Sequence, residues 1–205
     1  MTSELGFVHR FEPGSSAATL LVLHGTGGDE NDLIPLAREL APGAKLLSPR
    51  GKVLENGAPR FFRRLAMGVF DLDDLRAQAA DLAGFVRDAA EKYRLDAEKI
   101  YALGYSNGAN IAAALLLLHP AALAGRVLLR AMMPIEPEVL PDLSGKRVFM
   151  AAGTQDPMIP RASAETLSQR LQQAGAEVEL RWQTGGHQLY REELGAARAW
   201  LEAKV

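Results

Sequence analysis

The chain has 205 residues, 48% of them apolar, carries a formal net charge of −2 and contains no cysteine. That length suits one core of ordinary size, so residues 1–205 are expected to form a single domain. The charge balance lacks the basic excess of nucleic-acid binders, and the missing thiols exclude disulfides, a cysteine nucleophile and cysteine metal sites.

The opening stretch MTSELGFVHRFEPGSS has no apolar h-region of a secretory signal. The longest unbroken apolar run, Ile111 to Leu118, is far short of a bilayer span, so a cytoplasmic protein with no membrane insertion is expected. Residues 18–23 (ATLLVL) are apolar throughout, as a strand buried on both faces of a parallel sheet would be. They lead into the glycine-rich turn Gly25-Thr26-Gly27-Gly28, and a helix is expected from about Asn31 to just before Pro42. A second buried strand is expected at 44–48 (AKLLS). Residues 49–70 show no clear period and form the longest irregular segment, of the kind that is usually functional or mobile.

From Leu72 the pattern changes. Leu72, Leu75, Ala79, Leu82, Val86, Ala89 and Tyr93 recur at steps of three and four, which predicts an amphipathic helix with Asp71 as its N-cap. Further buried strands are expected at 99–105 (KIYALGY), 126–132 (RVLLRAM) and 147–153 (RVFMAAG). Residues 176–183 (AEVELRWQ) alternate, with Val178, Leu180 and Trp182 on one side, as an outer strand with one wet face would. Helices are expected after Ser106, from Pro160 to Gly175, and from about Arg191 to the C-terminus. Strands alternating with helices predict an α/β fold: a mostly parallel central sheet flanked by helices on both faces.

Within this frame, Gly104-Tyr105-Ser106-Asn107-Gly108 stands between a buried strand and a helix that is apolar nearly all round. A G-x-S-x-G turn there raises the serine hydroxyl above the sheet on a strained backbone, and only hydrogen fits well at the flanking positions. A serine hydroxyl needs a base, and the base needs an orienting carboxylate. Of the two histidines after Ser106, His119 ends the buried helix, whereas His187 lies in a glycine-flanked loop after the last expected strand. Asp156 follows the strand ending at Gly153, and is preferred as the acid over Glu136 and Glu138. Ser106, Asp156 and His187 are thus the candidate catalytic residues. The backbone N–H groups of Asn107 and Thr26 are the candidate oxyanion donors. His24, which precedes the serine, is read as a scaffold residue that holds the Thr26 loop.

The residues carry a resemblance as well. LHGTGGDENDLIPLA (23–37), PRFFRRLAMGVFDLDDL (59–75), GYSNGAN (104–110), GTQDPMIP (153–160) and GGHQL (185–189) resemble, in order, the segments of small, lidless α/β-hydrolases of the phospholipase/carboxylesterase family. The likeness covers roughly residues 18–203 and is closest to the bacterial carboxylesterase branch. It departs from the related acyl-protein thioesterases at Asn107, where those typically carry glutamine. The resemblance implies the α/β-hydrolase fold without a large cap domain, a small-molecule ester substrate, ester hydrolysis through a serine nucleophile, and no cofactor or metal. The expected activity is hydrolysis of short- to medium-chain carboxylic esters through an acyl-enzyme. Thioester or lysophospholipid hydrolysis with the same triad is the alternative, and a non-catalytic ligand binder on this fold is a third reading. Candidate substrate contacts are Phe61, Phe62, Arg63 and Phe70 from the long segment, with Met158 and Ile159 beside the acid. Arg60, Arg63 or Arg64 is read either as meeting a polar or anionic group or as a solvated basic face. The oligomeric state is open, a homodimer included.

Overall fold

The computed structural model describes residues 5–203. Seven strands form the main sheet: β1 (His9–Glu12), β2 (Thr19–Leu23), β3 (Lys45–Pro49), β8 (Ile100–Tyr105), β9 (Gly125–Leu129), β10 (Arg147–Gly153) and β11 (Glu177–Gln183). Their spatial order is β1-β3-β2-β8-β9-β10-β11, with β1 antiparallel to β3 and every other pair parallel. Every residue of β2 and β9 is buried, which is why these stretches read as nearly continuous apolar runs rather than alternating ones. The alternating β11 lies at the sheet edge.

Five helices cover the two faces. α1 (Ile34–Leu40) and α5 (Arg191–Glu202) pack with Leu20, Val22, Leu103, Val127 and Phe149 on one side. On the other side α2 (Leu72–Tyr93), α3 (Asn107–Leu118) and α4 (Arg161–Gln173) close over Leu21, Leu23, Ala102, Leu128 and Met150. The alternation of side chains along each strand feeds both cores at once. Asp71 caps α2, its carboxylate accepting from the Asp74 N–H at 3.0 Å. α3 runs through the middle of the molecule, and its residues Asn107 to Leu117 are all buried. This is the α/β-hydrolase fold. Among the described residues no insertion forms a cap domain.

The structure departs from the expected elements in three places. β1, only four residues long and half-exposed, is too short for its alternation to be recognised. The expected strand 126–132 ends at Leu129, because Arg130 turns out of the sheet at φ 60°. The segment 49–70 is not structureless: it folds into two hairpins, β4 (Val53–Glu55) with β5 (Ala58–Arg60), and β6 (Arg64–Ala66) with β7 (Val69–Phe70). Asn56-Gly57, both at positive φ, make the first reversal. These hairpins stand outside the main sheet, beside the carboxyl ends of its strands.

Candidate active site

The segments read as chemically important meet at the carboxyl edge of the sheet. Ser106 follows β8 at φ 53°, ψ −114°, a backbone state that L-residues rarely hold. The turn is tight enough to demand glycine on both sides. A Cβ on Gly104 would lie 2.6 Å from Gly108 O, and one on Gly108 would lie 2.0 Å from Leu23 O. The Ser106 N–H donates to Leu129 O at 2.9 Å, which pins the turn to the neighbouring strand.

His187 Nε2 is 2.9 Å from Ser106 Oγ, and His187 Nδ1 is 2.8 Å from Asp156 Oδ2. The carboxylate can only accept, so Nδ1 carries the proton and Nε2 accepts from the serine hydroxyl. Asp156 is fully buried at its side chain; its other oxygen accepts from the N–H groups of Met158 (2.8 Å) and Ile159 (3.1 Å). A hydroxyl, an imidazole and an oriented carboxylate in this chain can pass a proton from oxygen to nitrogen and back.

The loop carrying His187 is held by residues the sequence did not single out. Arg130 is completely buried and its guanidinium faces that loop. Nε donates to Gly186 O (3.1 Å) and Nη2 to Gln188 O (2.5 Å), the carbonyls on either side of His187. The same guanidinium forms a two-pronged pair with Glu193, both contacts 2.7 Å. Glu193 also accepts from the Tyr190 N–H at 2.7 Å, and the Tyr105 hydroxyl donates to His187 O at 3.0 Å. The sequence signal was a second arginine inside the run RVLLRAM, a charge set among apolar neighbours.

Thr26 and Asn107 line the same cleft as Ser106. Asn107 opens α3, so its N–H has no acceptor within the helix. His24 is buried, its Nδ1 donating to Gly25 O at 2.6 Å and its Nε2 accepting from the Gly51 N–H at 3.0 Å. Burial pushes its pKa down and favours the neutral ring that this pairing requires. A short stretch of the first hairpin braces both donor positions. Pro59 O accepts from the Gly27 N–H (2.9 Å), Arg60 Nη1 donates to Thr26 Oγ1 (2.8 Å), and the Phe61 N–H donates to Asn107 Oδ1 (2.7 Å).

The cleft itself is narrow, about 30 Å³. Of the expected substrate contacts, Phe70, Met158 and Ile159 line it beside Ser106. Phe61, Phe62 and Arg63 do not. Phe61 is buried against the His24 ring (centroids 4.7 Å), and Phe62 is buried edge-on to Phe70 (5.0 Å). Arg63 points outward and pairs with Asp71 at 3.1 Å, its side chain 61% exposed. Arg60 and Arg64 take the places on the wall that Phe61, Phe62 and Arg63 do not, together with Met67, Gly68, Asn110 and Met132. Arg60 is buried; burial, then the nearby Arg64, pushes its pKa down, and Glu55 opposes this.

A cavity of about 840 Å³ lies at the amino edge of the sheet near Tyr101, Lys146 and Arg147, away from Ser106. Among the described residues no helix is long and apolar enough to cross a membrane.

Comparison with known proteins agrees with this architecture. The family model described as phospholipase/carboxylesterase matches residues 12–205. A carboxylesterase structure from Bacillus cereus is 47% identical, superimposes with a TM-score of 0.92, and the match covers 95% of this chain and 92% of that one. MhqD of Bacillus subtilis (strain 168), described as a hydrolase, is 46% identical, with 96% of this chain and 98% of the relative covered. A carboxylesterase structure from Mesorhizobium loti is 34% identical with a TM-score of 0.91, covering 98% and 96% of the two chains.

Proposed function

This chain belongs to the phospholipase/carboxylesterase family and is a carboxylic ester hydrolase, and from that premise we propose that it works as a serine carboxylesterase on short- to medium-chain esters. Residues 1–205 act as one catalytic unit. The observation that carries the proposal is the unbroken hydrogen-bond chain Ser106 Oγ to His187 Nε2 to Asp156, with separations of 2.9 and 2.8 Å.

In this reading His187 takes the Ser106 proton as the oxygen attacks the ester carbonyl. Asp156 keeps the imidazole in the required tautomer and stabilises the imidazolium that forms. The N–H groups of Thr26 and Asn107 receive the oxyanion, each contributing about 3 kcal/mol to the transition state. His187 then protonates the departing alcohol, and water activated by the same ring releases the acid from the acyl-enzyme. The backbone strain at Ser106 supports the assignment, since such strain collects at reactive positions. Arg130 and Glu193 are positioning residues in this scheme, because they act only through the loop that bears the base.

The test is Ser106→Ala assayed on a small chromogenic ester, together with labelling by a fluorophosphonate. Turnover should fall by about 10⁴-fold or more and labelling should vanish. Near-normal turnover in that variant overturns the proposal. Matched oxygen esters and thioesters, compared by kcat/KM, separate it from a thioesterase with the same triad.

A further inference from the structure

We propose that the cleft selects esters that carry a carboxylate a short distance from the scissile carbonyl, and that Arg60 is the residue that reads this charge, with Arg64 beside it. The inference rests on the esterase reading above and deepens it by naming a substrate class.

The charges around the cleft do not balance. Two guanidinium groups, Arg60 and Arg64, line it, and no aspartate or glutamate does. The acid behind them, Glu55, is committed to Arg64: its Oε1 accepts from Arg64 Nε at 2.9 Å and Nη2 at 2.8 Å. Glu55 Oε2 lies 3.1 Å from Arg60 Nη1 but makes no hydrogen bond. One carboxylate thus serves two guanidiniums, and the hydrogen bonds of Arg60 itself go to Phe62 O at 3.2 Å and Thr26 Oγ1 at 2.8 Å. Its Nη2 donates to none of the described residues. A guanidinium that is only 3% exposed and shares its one carboxylate with a second guanidinium is costly to bury, and an incoming anion offsets that cost. The lowered pKa of Arg60 is consistent with a cation short of compensation.

The remaining wall points the same way. Met67, Phe70, Met132, Met158 and Ile159 offer no strong acceptor that would compete for Arg60. Asn110 Oδ1 is occupied by the Met132 N–H, and Asn107 Oδ1 by the Phe61 N–H. Asn107 Nδ2 is buried and makes no hydrogen bond among the described residues. A charge-assisted, fork-shaped contact to a carboxylate is what a guanidinium makes best. Arg60 Nη1 is 2.8 Å from Thr26 Oγ1, at the expected oxyanion position, so a carboxylate it holds lies within a few bonds of the reacting carbonyl.

The experiment compares matched esters. Methyl hydrogen succinate is set against methyl pentanoate, and acetoxyacetate against propyl acetate, so that the charge sits in the acyl half of one pair and in the alcohol half of the other. Hydrolysis releases alcohol, carboxylate and a proton, and is followed by pH-stat. The readout is the ratio of kcat/KM for the charged ester to that for its neutral partner, which cancels any general loss of activity. The wild-type enzyme should show a ratio of about ten or more in at least one pair, as a charged hydrogen bond is worth roughly one decade or more. Arg60→Met should bring the ratio close to one, and Arg64→Met should lower it as Glu55 turns to Arg60. A ratio below one in both pairs for the wild type, or a ratio unchanged in Arg60→Met, overturns the inference. An Arg60 that merely props Thr26 would lower both rates and leave the ratio alone. If Arg60→Met does not fold, Arg64→Met and the wild-type ratio decide.

Failure of the esterase reading looks different: no fluorophosphonate labelling of Ser106 and no turnover of any ester. In that case calorimetric binding of butyrate against neutral butyramide to the wild type and to Arg64→Met reads the cleft directly, and equal affinity for the acid and the amide rejects the anion site.

Discussion

Arg126 and Arg130 stand four positions apart at the two ends of one strand, both fully buried, and they have opposite surroundings. Arg130, just beyond the carboxyl end of β9, pairs with Glu193 and donates to backbone carbonyls on both sides of His187. Arg126, near the amino end, has no hydrogen-bond partner for any of its three guanidinium nitrogens among the described residues. Burial alone pushes its pKa down to about 9. A charge is expensive to bury in either place. At one edge that cost is offset and holds a reactive loop still; at the other it opposes folding with nothing visible in return. The comparison separates a buried charge that positions chemistry from one that only burdens the fold.

Replacing Arg130 by methionine tests the first half and should have the largest effect. It strands Glu193 in the core and frees the His187 loop. Stability should drop by about 3–5 kcal/mol in urea titrations. Turnover of a small ester should fall about 100-fold or more even under conditions where the variant is folded, as the base loses its register with Ser106. Normal turnover in a folded Arg130→Met would dissolve the contrast. Arg126→Met should do the reverse. It removes an unpaired buried charge and should raise stability by about 1–4 kcal/mol, a rise of roughly 2–4 °C in Tm for each kcal/mol. Its kcat/KM should stay within about twofold of wild type, the site lying at the other end of the strand.

The stabilisation by Arg126→Met should also depend on pH in one direction. The folded-state pKa is depressed to about 9, well below the ordinary arginine value, so the unfolded chain binds more protons above about pH 9. The penalty in the wild type is therefore complete below about pH 9 and shrinks as pH rises further. The gap in unfolding free energy between wild type and Arg126→Met should narrow above pH 9; a constant gap would show that the guanidinium is solvated. The smallest expected effect is coupling. The two positions are about 13 Å apart along the strand, so the double variant should match the sum of the singles within about 0.5 kcal/mol.

Much of this architecture could be read from residue patterns because burial writes itself into composition. Strands covered on both faces are apolar at nearly every position, Arg126 being the exception, and α3 is apolar nearly all round because it threads the core. The Ser106 turn was legible for a steric reason, since its glycines answer contacts that a methyl group would violate. The clamp of Arg130 and Glu193 was not, because its members are 63 positions apart and each looks ordinary where it stands. The wall of the cleft was misread at Phe61, Phe62 and Arg63. In extended chain neighbouring side chains face opposite ways, and RFFRR does not by itself say which of its members face in. The hairpins decide it, turning Arg60 and Arg64 toward Ser106 while the aromatic pair sinks into the core.

The three consecutive residues Pro59, Arg60 and Phe61 touch both loops that would cradle the developing negative oxygen, and the middle one also meets the space where substrate enters. Taste and speed are therefore cast in a single piece of chain. A designer who swaps this ribbon to change which molecules are accepted will retune the reaction rate in the same stroke, and a library that varies it should yield few variants altered in one property alone.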